Sequence, residues 1–317
     1  MQRALLSWTL VFALLIAGFG ASVLALNGDV FSAHGFVRAY LDTLARHDAS
    51  EALQFDGVEL PHGVSYALIT ENDALGDVDG IRFISDVETG DQHVVRFATL
   101  VAGQEQVTEF NVERTGTRFG LFPTWRFSTS PVAVLNVTVD RDARFSANGV
   151  ATLSRELAVL VPGEFVLDHQ SKYLEADAVT VAVTEVGSTV DATVSVTPKP
   201  EFTEAATAAI AAFLDDCVTQ EVLKPTGCPF GTEVINRLNS TPAWSMVDYP
   251  TAALEAGELP GQWNVKAAAA VAHIKVEVKA VFDGTVSTLD EDVPFSSSYV
   301  VYVGYYDVLT VSAPPPA

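Results

Sequence analysis

The sequence predicts an α+β protein that begins with a transmembrane helix. Helix-plus-antiparallel-sheet modules of cone-like or roll-like form are expected to follow, and they flank a small all-β module. Three observations carry this prediction. Residues 4–26 contain no charged side chain. Beyond them, helical periodicity gives way repeatedly to segments in which apolar and polar residues alternate. The only two cysteines, Cys217 and Cys228, stand in a local setting that suggests a disulfide pair.

Residues 1–28 are predicted to be an uncleaved signal-anchor. As a helix, the uncharged run would be about 34 Å long at roughly 1.5 Å per residue, against a hydrocarbon core of about 30 Å. Arg3 precedes the run, and long downstream domains translocate largely regardless of charge, so the C-terminal part is expected outside the cytoplasm. Two alternatives stay open: a signal peptide cleaved after Ala25, and a buried core helix.

A disulfide between Cys217 and Cys228 is predicted because a helix is expected to end near the first, while residues 225–227 (Pro-Thr-Gly) turn the chain back. Such a bond adds about 3 kcal/mol in the chain-entropy model and needs an oxidising compartment. Two buried free thiols are the alternative. No histidine or second cysteine pair has the spacing of a metal site.

The composition is acidic, with 18 Lys and Arg against 40 Asp and Glu and a net charge of −22. A surface of this charge argues against nucleic acid and against anionic lipid headgroups as partners. The hydrophobic content of 49% is ample for packed cores. The Pro-rich residues 313–317 are expected to form a tail that ends the fold.

The first module is predicted at residues 31–129. It opens with an amphipathic helix at Phe31–Arg46, and a hairpin turn is expected at Thr115–Thr117. Four strands are expected at Gly80–Val87, His93–Val101, Gln106–Thr115 and Phe119–Ser128. A helix followed by a curved antiparallel sheet, carried by residues 36–45 and 116–126, resembles the ketosteroid-isomerase-like cone.

The second module, residues 131–198, is predicted to be all-β. Asn148–Gly149 and Gly187–Ser188 are turn signals, and the second is expected to join strands Val179–Val186 and Val190–Thr197 as a hairpin. Residues 147–149 (Ala-Asn-Gly) and 161–166 (Val-Pro-Gly-Glu-Phe-Val) resemble a module in the extracytoplasmic part of TcaA-type membrane proteins of Gram-positive bacteria.

The third module, residues 201–312, is predicted to hold a helix at Phe202–Leu223, a short helix at Thr232–Leu238 and a strand series. Asp283–Gly284 is a strong hairpin signal, and Tyr299–Ser312 is expected to be a final strand bent at Gly304. Residues 214–217, 227–230, Trp263 and 282–284 resemble the C-terminal part of uncharacterised actinobacterial single-span membrane-anchored proteins. That resemblance implies location and fold.

A search for catalytic and metal-binding patterns assigns no catalytic, cofactor-binding or metal-ligating residue, and no cofactor is expected. The six histidines lack the H-x-x-x-H spacing of a helical zinc site, and no nucleophile or P-loop motif is present. The closest metal signal is Asp77, Asp79, Gly80 and Asp86, which occupy positions 3, 5, 6 and 12 of a calcium loop. Leu75 would stand at position 1 and cannot ligate, so a solvated turn is expected.

Two sets of side chains suit other functions. The cone resemblance implies a pocket with a carboxylate base and a tyrosine donor, for which Tyr40, Tyr66, Asp42 and Asp86 are the right residue types. Aromatic residues can line a surface that binds glycans or peptides, but alternate positions of a strand face opposite sides, so one face is expected to be core and only the other a binding face. The candidates for such a surface are Trp125, Trp244, Trp263, Tyr299, Tyr302, Tyr305 and Tyr306.

Together these features predict a non-catalytic, membrane-anchored extracytoplasmic protein that binds or scaffolds components of the bacterial cell envelope. The expected partner is an envelope protein or a cell-wall component, and the TcaA resemblance implies wall or antibiotic-stress sensing. The alternative is a pocket enzyme of the isomerase or hydratase type in the N-terminal cone. A closed apolar pocket within residues 31–129 that holds a buried carboxylate of raised pKa would favour the enzyme.

Overall fold

The computed structural model describes the backbone of residues 2–313 and the side chains of residues 12–266 and 269–313. This part of the chain is α+β, as predicted, with five α-helices and several antiparallel sheets. It forms two compact units. Unit 1 comprises residues up to Thr138 with 146–167 and 178–193, and unit 2 comprises 139–145, 168–177 and residues from Val194 onward. Segment 131–198 contributes to both units, and the three-module division stays a prediction. The predicted tail, except Ala313, lies outside the described residues.

Helix α1, Gln2–Gly28, covers residues 2–28 of the segment predicted as an anchor. Within the described residues no single helix has both the length and the apolar character needed to cross a membrane. The segments Phe12–Gly28 and Ala33–Ala45 meet both requirements only as a pair bent by 60°. The second of them, helix α2, buries Val37, Tyr40 and Leu41 in unit 1, which is the pattern of a core helix.

Unit 1 is built on α2, Ala33–Ala45. Ser32 caps the start of this helix, because its hydroxyl accepts a hydrogen bond from the Gly35 amide at 3.0 Å. Short helices α3 (Ala49–Ala52) and α4 (Ala67–Thr70) follow. The chain then forms a four-stranded antiparallel meander in sequence order. Its strands are β1 (Asp79–Thr89), β2 (Gln92–Val101), β3 (Gln104–Arg118) and β4 (Phe122–Phe127).

The space between α2 and the meander is filled by side chains. Tyr40 is fully buried, and its hydroxyl donates a hydrogen bond to the Val161 carbonyl at 3.0 Å. Burial raises the pKa of Tyr40 well above its usual range, so the hydroxyl stays protonated. Aromatic rings dominate this core, since Tyr40 makes edge contacts with Phe110 and Phe127. The space between α2 and the inner face of the meander is therefore a packed core.

The turn between β3 and β4 differs from the prediction. Thr115–Thr117 lies inside β3, which continues to Arg118 with a bulge between Arg114 and Gly116. The turn follows at Phe119–Gly120, where both residues have positive φ angles of 57° and 68°. The bulge lets the ladder with β4 resume beyond the expected turn, so the prediction of a turn at Thr115–Thr117 is wrong.

The chain from Val132 to Pro198 forms eight further strands in two sheets. They are β5 (Val132–Asp140), β6 (Phe145–Ala147), β7 (Val150–Thr152), β8 (Glu156–Leu160), β9 (Gly163–Gln170), β10 (Leu174–Val183), β11 (Thr189–Ser195) and β12 (Thr197–Pro198). One sheet has the order β12-β10-β9-β6-β7, and the other has β11-β5-β8. The predicted turn at Asn148–Gly149 joins β6 to β7 and is confirmed, with positive φ at both residues.

The predicted hairpin at Gly187–Ser188 is wrong, because β10 and β11 lie in different sheets. The turn residues bond to β5 instead. The Gly187 amide donates to the Val132 carbonyl at 3.0 Å, and the Ser188 carbonyl accepts from the Val134 amide at 2.9 Å. These bonds direct β11 along β5, where the Asn136 side chain donates to Asp191 at 2.7 Å.

Unit 2 contains helix α5, Pro200–Val218, and a sheet dominated by one long hairpin. The Cys217–Cys228 disulfide is present, as predicted, and joins the last turn of α5 to the loop that follows it. The strands of this sheet are β13 (Arg237–Leu238), β14 (Ala243–Asp248), β15 (Leu254–Ala256), β16 (Gln262–Lys279), β17 (Val286–Val303) and β18 (Leu309–Ser312). The order is β13-β16-β17-β18, and β14 and β15 also pair with β16.

Three predictions for this region need correction. Helix α5 ends at Val218, before the predicted Leu223. No helix forms at Thr232–Leu238, because Arg237 and Leu238 pair with the end of β16. Tyr299–Ser312 is not one bent strand, since β17 and β18 form an antiparallel pair across a turn at residues 304–308. For Arg237 and Leu238, partners distant in sequence override the local pattern.

Candidate functional site

The strand register of unit 1 brings polar side chains together at one end of the inner sheet face. Glu88 pairs with His93, and His93 pairs with Val112 on the next strand, so these three share the face that packs on α2. Arg114 pairs with Trp125 on the same side. The α2 helix does not cover this end, and a groove of about 390 Å³ forms there. Its lining includes Asn27, Ser32, Asp86, His93, Arg114, Leu121 and Trp125.

A histidine–carboxylate pair forms part of the groove wall. His93 Nδ1 lies 2.7 Å from Asp86 Oδ1, and both side chains are mostly buried. Because an ionised carboxylate only accepts, Nδ1 carries the hydrogen in this pair. The His93 ring also packs edge-on against Trp125 at 4.7 Å between centroids. The pair can therefore orient a ring whose second nitrogen exchanges a proton or binds a polar ligand.

The opposite wall of the groove comes from the end of α1 and the β3–β4 turn. The Asn27 side-chain amide donates to the Leu121 carbonyl at 2.8 Å, and the Trp125 indole donates to the Phe31 carbonyl at 2.9 Å. Ser32 is already engaged as the cap of α2, so its hydroxyl is not an unassigned nucleophile. The groove carries charges of both signs and fits a small polar ligand with hydrogen-bonding groups.

The residues predicted for an isomerase-like pocket are not brought together. Tyr40 is buried in the core, and the Tyr66 hydroxyl donates to the Pro61 carbonyl at 2.7 Å. Asp42 forms an exposed ion pair with Arg38 at 3.0 Å. Asp86 is the one member of the predicted set that lines the groove.

The calcium-like residues are also separated. Asp77 contacts His47 Nε2 at 3.0 Å, whereas Asp79 and Asp86 both lie in β1. Seven residues along a strand span about 23 Å at roughly 3.3 Å per residue, so these two carboxylates do not converge on one ion. Across the side chains that the structure describes, no group of three potential ligands is arranged to hold a metal.

The predicted aromatic surface divides into core and exposed members. Trp125, Trp244, Trp263 and Tyr299 are buried, and burial raises the pKa of Tyr299 to about 12. Tyr305 and Tyr306 are exposed on the loop between β17 and β18, with their rings perpendicular and 5.0 Å apart. Tyr302 is partly exposed nearby in β17. Of the predicted aromatic set, the exposed members are therefore these three tyrosines, on and beside the β17–β18 loop of unit 2.

An arginine cluster that sequence reasoning missed holds this loop. Arg144 Nη2 lies 2.8 Å from Asp142 Oδ2, and Nη1 lies 2.9 Å from Asp307 Oδ1 and donates to the Tyr305 carbonyl at 2.9 Å. His169 Nδ1 donates to the Arg144 carbonyl at 2.8 Å. Arg144 therefore joins Asp142 to Asp307, which is distant in sequence, and holds the backbone of the loop at Tyr305.

The charge of Arg144 controls the ionisation of Asp142. Burial alone would raise the pKa of the Asp142 carboxyl, but hydrogen bonds and charge from Arg144 bring it below its ordinary value of 3.8. Since the folded-state pKa is the lower one, the pair contributes stability above the unfolded pKa. That contribution is lost as the pH falls through the folded pKa.

We expect Arg144→Gln to lower the free energy of unfolding of unit 2 by about 2–3 kcal/mol, because Asp142 is left buried without its counter-charge. Asp142 keeps its hydrogen bonds from the backbone amides of residues 143 and 144, but without the charge of Arg144 its pKa is lowered less. The stability difference between parent and variant should therefore shrink as the pH falls. Denaturant unfolding between neutral pH and about pH 3 measures both slopes, and Arg237→Gln, on an exposed residue, is the matched control. Parallel pH profiles for parent and Arg144→Gln would contradict this account.

Comparison of the chain with protein-family models, with curated proteins and with solved structures found no match to any of them.

Proposed function

We propose that this is a single-span membrane protein whose chain after α1 lies outside the cytoplasm, where it binds or scaffolds envelope components without catalysis. The observation that carries the proposal is the exposure of α1. At about 100° per residue its large apolar side chains surround the helix, so one protein surface does not suffice to cover them. They are Phe12, Leu14, Leu15, Ile16, Phe19 and Leu24, each at least 60% exposed.

Two further features support this location. The Cys217–Cys228 disulfide needs an oxidising compartment, which lies outside the bacterial cytoplasm. The net charge of −22 suits a solvated protein and disfavours nucleic acid as a partner. The packing of α2 on a four-stranded meander supports the cone-like interpretation of unit 1. Because the interior is filled by side chains, the interpretation favours scaffolding over a pocket.

The exposed loop with Tyr305 and Tyr306 is the best-supported binding surface. Aromatic side chains have few rotatable bonds, so on a loop whose backbone is held in place they supply contact area at low cost in side-chain freedom, and their faces suit flat sugar rings or peptide backbones. Arg144 and Asp307 hold that backbone. The proposed partner is an envelope protein or a cell-wall component, and the resemblance to TcaA-type modules extends the proposal to wall or stress sensing.

We expect the double variant Tyr305→Ser with Tyr306→Ser to lose most co-purifying envelope components, because the aromatic contact area disappears while Arg144 still holds the loop backbone. The measurement is in-cell crosslinking of the full chain followed by mass spectrometry of the membrane fraction. Phe282→Ser is the matched control, since it removes a fully exposed aromatic ring from the same unit. Equal recovery from all three proteins, or none above an unrelated single-span protein, would contradict the proposal.

A second candidate function is favoured by the His93–Asp86 pair beside the groove. An imidazole oriented by a carboxylate is suited to proton transfer at carbon or oxygen, which isomerases and hydratases require. The test is turnover of small carbonyl and enoyl compounds by the full chain. Activity that His93→Gln and Asp86→Asn each reduce at least about 100-fold would support the enzyme. Absence of turnover across the panel would sink it.

A further inference from the structure

The turn between β3 and β4 presents an unfavourable residue to solvent. Phe119 has a φ of 57°, a left-handed conformation that bulky side chains rarely adopt, and it stands where Asn is preferred before Gly. The Phe119 side chain is 81% exposed, so its ring contributes little to the core. Neither local conformation nor packing accounts for a phenylalanine here. An outlier of this kind points to a role outside the folded unit.

The turn is attached to the end of the proposed membrane helix. The side-chain amide of Asn27, one residue before the end of α1 at Gly28, donates to the Leu121 carbonyl at 2.8 Å. Phe31 and Phe122 pack with ring centroids 4.4 Å apart just beyond this bond. The turn therefore lies at the same level as the last turn of α1.

The exposed groups on the turn match the chemistry of a bilayer interface. Phe119 is joined by Leu121, which also lines the groove and is 42% exposed, so two apolar side chains of one tight turn are open to solvent. The Arg118 guanidinium lies 5.4 Å from the centre of the Phe119 ring, where it can also reach a phosphate. Aromatic side chains are enriched at headgroup level, and arginine stems extend from apolar surface to phosphate.

We propose that the tip formed by Phe119–Leu121 enters the outer interface of the phospholipid bilayer as a second membrane contact beside α1. The inference rests on the proposed function, because it takes the end of α1 as the level of the interface. The chain is acidic overall, but this contact is apolar and its nearest charge, Arg118, is positive. Together with α1, this second contact restricts the orientation of unit 1 on the membrane.

The test places the photoreactive residue benzoylphenylalanine at position 119 of the full chain in nanodiscs of equal parts phosphatidylcholine and phosphatidylglycerol. Position 107 in the same strand is the control, because Val107 is also exposed and lies about 40 Å away at roughly 3.4 Å per residue. Position 12 in α1 serves as the reference for lipid contact. We expect lipid adducts at positions 12 and 119, and several-fold fewer at 107.

The outcomes separate this inference from the proposed function. Lipid adducts at position 12 with none at 119 above the level at 107 overturn the second contact and leave the anchor intact. No lipid adducts at position 12 overturn the anchor, and the second contact fails with it.

A second variant guards against a purely structural role for Phe119. Asn suits the turn, so Phe119→Asn should fold with an unfolding midpoint no lower than that of the parent. In this background, benzoylphenylalanine at position 121 should form several-fold fewer lipid adducts than in the parent. A lowered midpoint, or unchanged adducts at position 121, would overturn the proposal.

Discussion

Replacing Leu15 and Ile16 by arginine is expected to release the chain from the membrane. Both side chains lie near the middle of the uncharged run and are exposed on α1. Arginine at the centre of a membrane helix costs about 2.5–3.5 kcal/mol on insertion scales, so the pair costs about 6 kcal/mol, or roughly a 10⁴-fold shift in partition. Carbonate washing of membranes, followed by immunoblotting of pellet and supernatant, measures the change.

The matched control is the double alanine variant at the same two positions, which keeps the helix apolar and should stay in the pellet. N-terminal sequencing of the parent distinguishes an uncleaved signal-anchor from a cleaved signal peptide. A mature chain beginning at Leu26 would mean a cleaved signal peptide and would refute the anchor. A double arginine variant that remains in the washed pellet would refute it independently.

The second large effect is expected in the core of unit 1. Phe110→Ala removes a fully buried ring that contacts Tyr40 and Phe127, and such truncations cost about 3–5 kcal/mol. Since domains are stable by only about 5–15 kcal/mol, unit 1 should lose a large fraction of its stability. Hydrogen exchange resolved by peptide measures this loss separately for each unit.

Val107→Ala is the control, because Val107 lies in the same strand but is 53% exposed. Its effect should stay within about 0.5 kcal/mol, as for surface positions elsewhere. Faster exchange in β1–β4 for Phe110→Ala alone is the expected result. Equal effects of the two substitutions would mean that the space between α2 and the sheet is not the packed core described above.

Local pattern predicted elements well where one face of a segment is buried. The apolar positions of α2 recur at helical spacing, and the buried positions of β2 alternate, so both were found within a few residues of their true bounds. The disulfide was also predictable, because the two cysteines flank a short loop after a helix. Turn chemistry located Asn148–Gly149 because that pair suits positive φ at both positions.

Pairing between distant segments was not predictable in the same way. The pattern that suggested a hairpin at Gly187–Ser188 is equally compatible with strands in two sheets, and bonds to Val132 and Val134 decide between them. The bulge at Arg114–Gly116 moved the next turn by several residues. The helix expected at Thr232–Leu238 was lost to pairing with β16.

The candidate sites show the same division. Asp86 and the exposed tyrosines were named from residue type, yet alternation alone did not reveal which aromatic residues were core. His93 was one of six scattered histidines until the β1–β2 register brought it to Asp86. Arg144 and Asp307 are separated by 163 positions, and no local signal joins them.

The sequence by itself determined the α+β class, the apolar N-terminal helix, the acidic surface and the disulfide, because composition, periodicity and short-range spacing are properties of neighbouring residues. Only the tertiary structure decided the groove beside His93, the Arg144 network and the Phe119–Leu121 tip at the end of α1. Each of these depends on contacts between residues far apart in the chain. Strand register and loop geometry, which set those contacts, follow from the packing of the whole unit rather than from any one segment.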